Sequence, residues 1–258
     1  MRYFLFFRKN LQNISVFQGK VVSLHRISNT KVMLKDILKQ LILTKQAEIP
    51  YSVIPRDEAL PTQCKAIVSI PGVRRCGKST KMQLVINDLV AQGVSKTNIL
   101  WLGFDDERLY DMTKQDLDLV LEAYRELYPE ISLRDVYMFF DEIQLIKDWE
   151  LFVVRVYKTY CQHIYISGSN AKMLSQEIAT TLRGYGVEYP TYPLSFAEYC
   201  RFKNIPTKHL LEDDLVRLRL AWDNYNTESA FPEVVLENEK SIREKLLQGY
   251  YNAMLFRD

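Results

Sequence analysis

Gly72, Gly77, Lys78 and Ser79 stand in the spacing G-x-x-x-x-G-K-S, inside the stretch KAIVSIPGVRRCGKSTK from Lys65 to Lys81. A loop of this spacing turns its backbone N–H groups inward, where they cradle phosphate oxygens. Glycines at both ends permit a tight path and positive φ that side chains would block. The Lys78 ammonium can reach β- and γ-phosphates, and the Ser79 hydroxyl can ligate Mg²⁺. The expected phosphate-binding loop is therefore Gly72, Val73, Arg74, Arg75, Cys76, Gly77, Lys78, Ser79 and Thr80. The alternative is a surface loop with this spacing by chance. A short apolar run before the loop (Ile67, Val68, Ile70) and a helical pattern after it count against chance.

A second candidate is the acidic pair Asp141-Glu142, which ends the apolar run Val136-Tyr137-Met138-Phe139-Phe140. Such a run reads as a strand buried on both faces. An acid at its tip can hold Mg²⁺, usually through water, so Asp141 joins Ser79 as a candidate metal ligand. Glu142 beside it can orient and deprotonate an attacking water. The competing reading is an acidic pair that caps the next helix.

These residues need elements to position them. Met33 opens an amphipathic helix with Leu34, Ile37, Leu38, Leu41 and Ile42 on one stripe. Pro50, Pro55 and Pro61 punctuate a connector that contains Arg56, which by itself reads as solvated. Helices are expected over 79–91, with Met82, Val85, Ile86 and Leu89 inside, and over 115–127, with Leu117, Val120, Leu121 and Tyr124 inside. Strands are expected at 98–104, 136–140, 163–166 and 188–194. Asp105 or Asp106 suits a helix start. Trp149, Phe152, Val153 and Val156 read as core, and 171–180 as a helix. Ser195 and Glu198 have capping-box spacing. Helices at about 208–222 and from about Glu239 complete an all-α lid, in which Arg217 and Arg219 read as a solvated face.

GVRRCGKST, LGFDDERL, MFFDEIQ, ISGSNAKMLSQEIATTLRG, YPLSFAEY and SAFPEVV occur in that order. Together they resemble a family of prokaryotic AAA-type ATPases whose members pair this module with a C-terminal nuclease-like domain of unknown role. The resemblance covers roughly Met33 to Asp258. It implies an α/β P-loop NTPase fold with an AAA+-like parallel sheet of order 5-1-4-3-2, helices on both faces and a helical lid. It implies ATP and Mg²⁺ as ligands. It also implies a polar sensor at Ser169 or Asn170 on the strand between the P-loop strand and the acidic strand, although Asn170 equally suits a helix cap. Relatives have arginine after the glycine of Leu182-Arg183-Gly184. Tyr185 stands there in this chain, which leaves Arg183 as the candidate catalytic arginine.

The 258 residues allow one large or two small domains, and 47% hydrophobic residues suffice for a core. With 34 Lys+Arg against 32 Asp+Glu, there is no global basic field that demands nucleic acid, though a nucleic-acid or protein client remains open. Cys64, Cys76, Cys161 and Cys200 are scattered, as expected for reduced thiols in a cytoplasmic protein. His25, His163 and His209 have no metal spacing. No apolar run reaches the roughly 18 residues of a membrane span. The divisions expected are an extension at 1–32 that precedes a native start at Met33, a helix and linker at 33–61, the ATPase core at 62–194 and a lid at 195–258. The final helix has a broad apolar face, which suggests a truncated family member and possible self-association. Two functions compete: an ATPase using Lys78, Glu142 and an arginine, and a nucleotide-binding switch or remnant with little turnover.

Overall fold

The computed structural model describes residues 30–169, 182–208 and 211–256. The apolar runs become β1 (Ile67–Pro71), β2 (Ile99–Gly103), β3 (Tyr137–Asp141) and β4 (His163–Gly168), joined by β5 (Gly186–Glu188). All neighbouring pairs are parallel, in the order β2-β3-β4-β1-β5. This is the 5-1-4-3-2 order of an AAA+-like P-loop NTPase, with helices on both faces. Strands β1 to β4 carry little polarity because neither face meets water.

Strand residues alternate between two cores. Leu100, Leu102, Met138, Phe140, Ile164 and Ile166 face α1 (residues 30–47), α3 (Asp118–Leu127) and α4 (Trp149–Thr159). Val68, Ile70, Trp101, Phe139 and Tyr165 face α2 (Lys78–Ala91). Helix α1 is part of the first core: Leu38 and Ile42 are fully buried, and Gln46 Nε2 donates to Ile99 O at 2.7 Å while its Oε1 accepts from Tyr128 at 2.6 Å. The helix includes residues 30–32, ahead of Met33. The rest of the expected extension lies outside the described residues, as does the helix expected at 171–180.

The fifth strand differs from expectation. It occupies Gly186–Glu188, not 188–194, because Pro71 at the end of β1 has no N–H to donate back and the regular ladder stops there. The chain nevertheless continues along β1: Tyr189 N donates to Ser69 O at 2.8 Å and Thr191 N to Pro71 O at 2.7 Å.

The lid comprises α5 (Phe196–Phe202), α6 (Glu212–Thr227), α7 (Pro232–Leu236) and α8 (Lys240–Phe256). Its own small core joins Leu194, Tyr199, Cys200, Phe202, Ala221 and Val235, with Ile54 from the connector against it. Helix α6 runs to Thr227, beyond the expected Trp222. Tyr225 holds that last turn, packing on Phe196 and Tyr199 and donating to Leu194 O at 2.9 Å. Among the described residues, no helix is long and apolar enough to cross a membrane.

Phe139 is fully buried in the sheet centre, 6.0 Å from the Trp101 ring and 4.6 Å from that of Tyr165. Phe139→Ala should cost about 3–5 kcal/mol, read as a lower midpoint in chemical denaturation.

Candidate functional site

The phosphate loop is built where β1 stops and α2 starts. Gly77 caps α2 with φ 98°, and Arg75 also takes a left-handed backbone, with φ 62°. The loop's entry is sterically closed to side chains: a Cβ on Gly72 would sit 2.3 Å from Thr191 O. The free N–H groups at the start of α2 and its dipole both favour an anion here. Lys78 is 4% exposed. Its ammonium donates to Val73 O at 3.2 Å and pairs with Glu142 Oε1 at 3.3 Å.

Strand β4 lies between β1 and β3, so its tip separates the loop from the acids. Ser167, fully buried, joins both acids: its hydroxyl donates to Asp141 Oδ1 and accepts from Glu142 N at 3.1 Å. Glu142 has φ 52°, a left-handed turn that this contact helps hold. Its Oε2 accepts from Gln144 Nε2 at 2.5 Å and from Ser169 Oγ at 2.8 Å. Burial alone would push the Glu142 carboxyl up, but the Lys78 charge and the Gln144, Ser169 and Lys78 hydrogen bonds outweigh it and hold the group below its ordinary value. Asp141 goes the other way. Burial dominates, the charges of Glu142 and Asp105 add to it, and hydrogen bonds from Ser167 and Ser79 oppose it; the net shift is upward.

The Ser79 hydroxyl and Asp141 carboxylate thus face each other beside the loop. Both are hard oxygen donors, the type Mg²⁺ prefers. Among the described residues there is no group of three or more His, Cys, Asp or Glu that could by itself hold a metal ion. An ion held by this pair would complete its shell with phosphate oxygens and water, as a substrate-borne Mg²⁺ does. The donor set fits the ion.

Other predicted residues fall elsewhere. Asn170 lies outside the described residues. Arg183 has φ 53° and precedes β5. Ile67, the first residue of β1, donates to Tyr185 O, so Arg183 and Tyr185 stand at the edge where strands begin, opposite the phosphate loop. Tyr185 instead packs on Tyr157 and carries Lys158 over its ring at 4.8 Å. Asp106 caps a short 3₁₀ turn by accepting from Arg108 N at 3.0 Å.

Arg56 is neither solvated nor aimed into open space. It donates to Glu198 Oε1 at 2.7 Å, Cys76 O at 2.9 Å and Tyr192 O at 2.9 Å. The connector, the phosphate loop, the chain after β5 and the lid therefore meet at one guanidinium. Sequence reading also passed over Ser167, Glu233 and Tyr250. Ser167 had a signal, a hydroxyl near the end of an apolar strand, two residues before Ser169. Glu233 had one in Phe231-Pro232-Glu233, a helix-opening proline followed by an acid.

A family model described as an AAA domain matches residues 65–200, just over half of the chain. The chain belongs to the AAA-domain family. An uncharacterized protein of Methanocaldococcus jannaschii is 30% identical over 247 residues, 95% of this chain and 52% of its own length. An uncharacterized Haemophilus influenzae protein is 34% identical over 189 residues, 73% of this chain and 45% of its own. The AAA module thus spans about half the length of these curated relatives. Among solved structures, C. elegans PCH-2 aligns at TM-score 0.44 and 10% identity over 88% of this chain and 69% of that one. AMPPCP-bound DnaA from Aquifex aeolicus aligns at 0.35 and 13% over 76% and 57%. As an AAA domain, the chain is an ATP-binding module.

The Arg56–Glu198 pair is buried, its side chains 5% and 6% exposed. Burial acts to raise the Glu198 carboxyl, but hydrogen bonds from Arg56, Asp57 N and Ser195 N win, and its pKa lies below the ordinary value. That depression stabilises the fold above the unfolded glutamate pKa of about 4.3, and the contribution is lost as pH falls through the folded value. Glu198→Ala should cost about 3–5 kcal/mol at neutral pH by stranding the Arg56 charge. The deficit relative to the parent should shrink as the pH of the denaturation series drops below about 4.

Proposed function

We propose that this AAA module hydrolyses ATP to ADP and phosphate with Mg²⁺. The observation that carries the reading is the Glu142 carboxylate, ionised and 3.3 Å from Lys78 at the mouth of the phosphate loop. The loop's N–H groups and Lys78 bind the β- and γ-phosphates. Ser79 and Asp141 hold Mg²⁺, which neutralises charge on the phosphate oxygens when bound. Glu142 orients the attacking water and takes its proton, with Ser169 and Gln144 fixing the carboxylate's direction. Arg183, at the far edge of the sheet, acts in this scheme only on nucleotide held by a second copy, so full turnover requires self-association.

The switch reading keeps one observation in its favour. Among the described residues, the cations lining the phosphate cleft of about 480 Å³ are Arg75 and Lys78 alone. Proteins or nucleic acids are the classes of client either reading would serve.

Phosphate release by purified protein separates the two. Glu142→Gln should lower release about 10²–10⁴-fold while binding persists. Lys78→Ala should weaken nucleotide binding itself in a direct titration. Equal hydrolysis by Glu142→Gln and parent would remove Glu142 from the role, and binding without turnover in the parent would favour the switch.

A further inference from the structure

The phosphate cleft contains an acid that a phosphate site does not need. Glu233, on α7, lines it together with Arg75, Gly77, Lys78, Ser79 and Thr80. Its Oε2 accepts from Arg75 Nη1 at 2.6 Å and also from the Tyr250 hydroxyl of α8. Arg75 stacks over the Tyr250 ring at 4.8 Å from its centroid. One loop arginine is thus held by a carboxylate and an aromatic ring from two lid helices. The cleft's other cation is held likewise, since Lys78 pairs with Glu142. Each cation meets a carboxylate where the incoming ligand brings phosphate oxygens.

We propose that the nucleotide's terminal phosphate displaces Glu233 from Arg75, so that occupancy of the loop releases α7 and α8 from it. The proposal rests on nucleotide binding at the loop, not on hydrolysis. Three features favour exchange over a permanent brace. The Arg75 and Glu233 side chains are 55% and 51% exposed, and exposed pairs are weak. A phosphate carries more charge than a carboxylate and takes a guanidinium's paired donors equally well. A carboxylate left in place would repel the triphosphate across a cleft that Glu233 lines together with Gly77, Lys78 and Ser79. Tyr250 makes the release felt in α8, because it is buried and touches Glu233, Arg75 and Phe231 at once.

The test is a titration of the full chain with a non-hydrolysable ATP analogue and Mg²⁺, comparing parent, Glu233→Gln, Arg75→Gln and the double variant. Competition predicts that Glu233→Gln binds about two- to fivefold tighter, the factor an exposed ion pair represents. Arg75→Gln should bind more weakly, and the gain from Glu233→Gln should vanish in the double variant. Hydrogen exchange supplies the second arm: without nucleotide, α8 amides of Glu233→Gln should exchange faster than the parent's by a similar factor. A permanent brace would loosen α8 in the same way but predicts no gain in nucleotide binding. Unchanged or weaker binding by Glu233→Gln, or a gain that persists without Arg75, overturns the exchange. Unaltered α8 exchange overturns the link to the lid. Failure of the underlying reading has its own signature: parent and Lys78→Ala would be equally unable to bind the analogue, and the exchange would fall with it.

Discussion

The Arg56 guanidinium is the contact on which the arrangement of core, loop and lid depends. Its Nε, Nη1 and Nη2 each meet a different element, and the connector that bears it leads from α1 into β1. Such a rigid, permanently charged fork suits three fixed acceptors better than a lysine would. Glu198 answers it with both oxygens in use: Oε1 also accepts from Asp57 N, and Oε2 accepts from Ser195 N in the capping box of α5. Losing either partner leaves a charge stranded in a dry junction, which costs far more than an exposed pair returns. The lid is therefore anchored firmly at α5. Through Arg75 and Glu233 it is held at α7 by a pair that water reaches.

The anchors differ in what they constrain. Arg56 takes the Cys76 carbonyl, so it steadies the loop's backbone without occupying the phosphate side. Ser167 does the corresponding work across the cleft, setting Asp141 and Glu142 in fixed relation through one hydroxyl. A site whose donors are held in this way needs little rearrangement when a ligand arrives, the condition under which fixed dipoles act most strongly. The two cations already carry counter-charges, Glu233 on Arg75 and Glu142 on Lys78.

Much of this was readable because strands buried on both faces are mostly apolar. Ile67–Ile70 and Val136–Phe140 announced themselves, and the polar residues that ended each run marked the ligand edge of the sheet. The sheet order came from family resemblance and not from periodicity. The fifth strand was misplaced because its apolar content gave no bounds, and Pro71 in β1 cut the ladder short without ending the chain's course. The junctions were not readable. Arg56 and Glu198 are separated by 142 residues, and Arg75 and Glu233 by 158, and no local pattern reports which distant charges will meet. Nor could spacing tell that Arg183, just ahead of β5, stands at the end of the sheet remote from the loop.

The course of β5 has a bearing on how copies of the chain can meet. Tyr185, Tyr189 and Thr191 turn their backbone groups toward β1, so the alternate positions Gly186, Glu188 and Pro190 look outward along the sheet's edge. Glu188 puts an exposed charge on that edge, and Pro190 withholds a donor that an added strand would need. Both features work against growth of the sheet by strand addition on this side. Contacts between copies at this flank are better made through side chains, which part without unravelling the sheet.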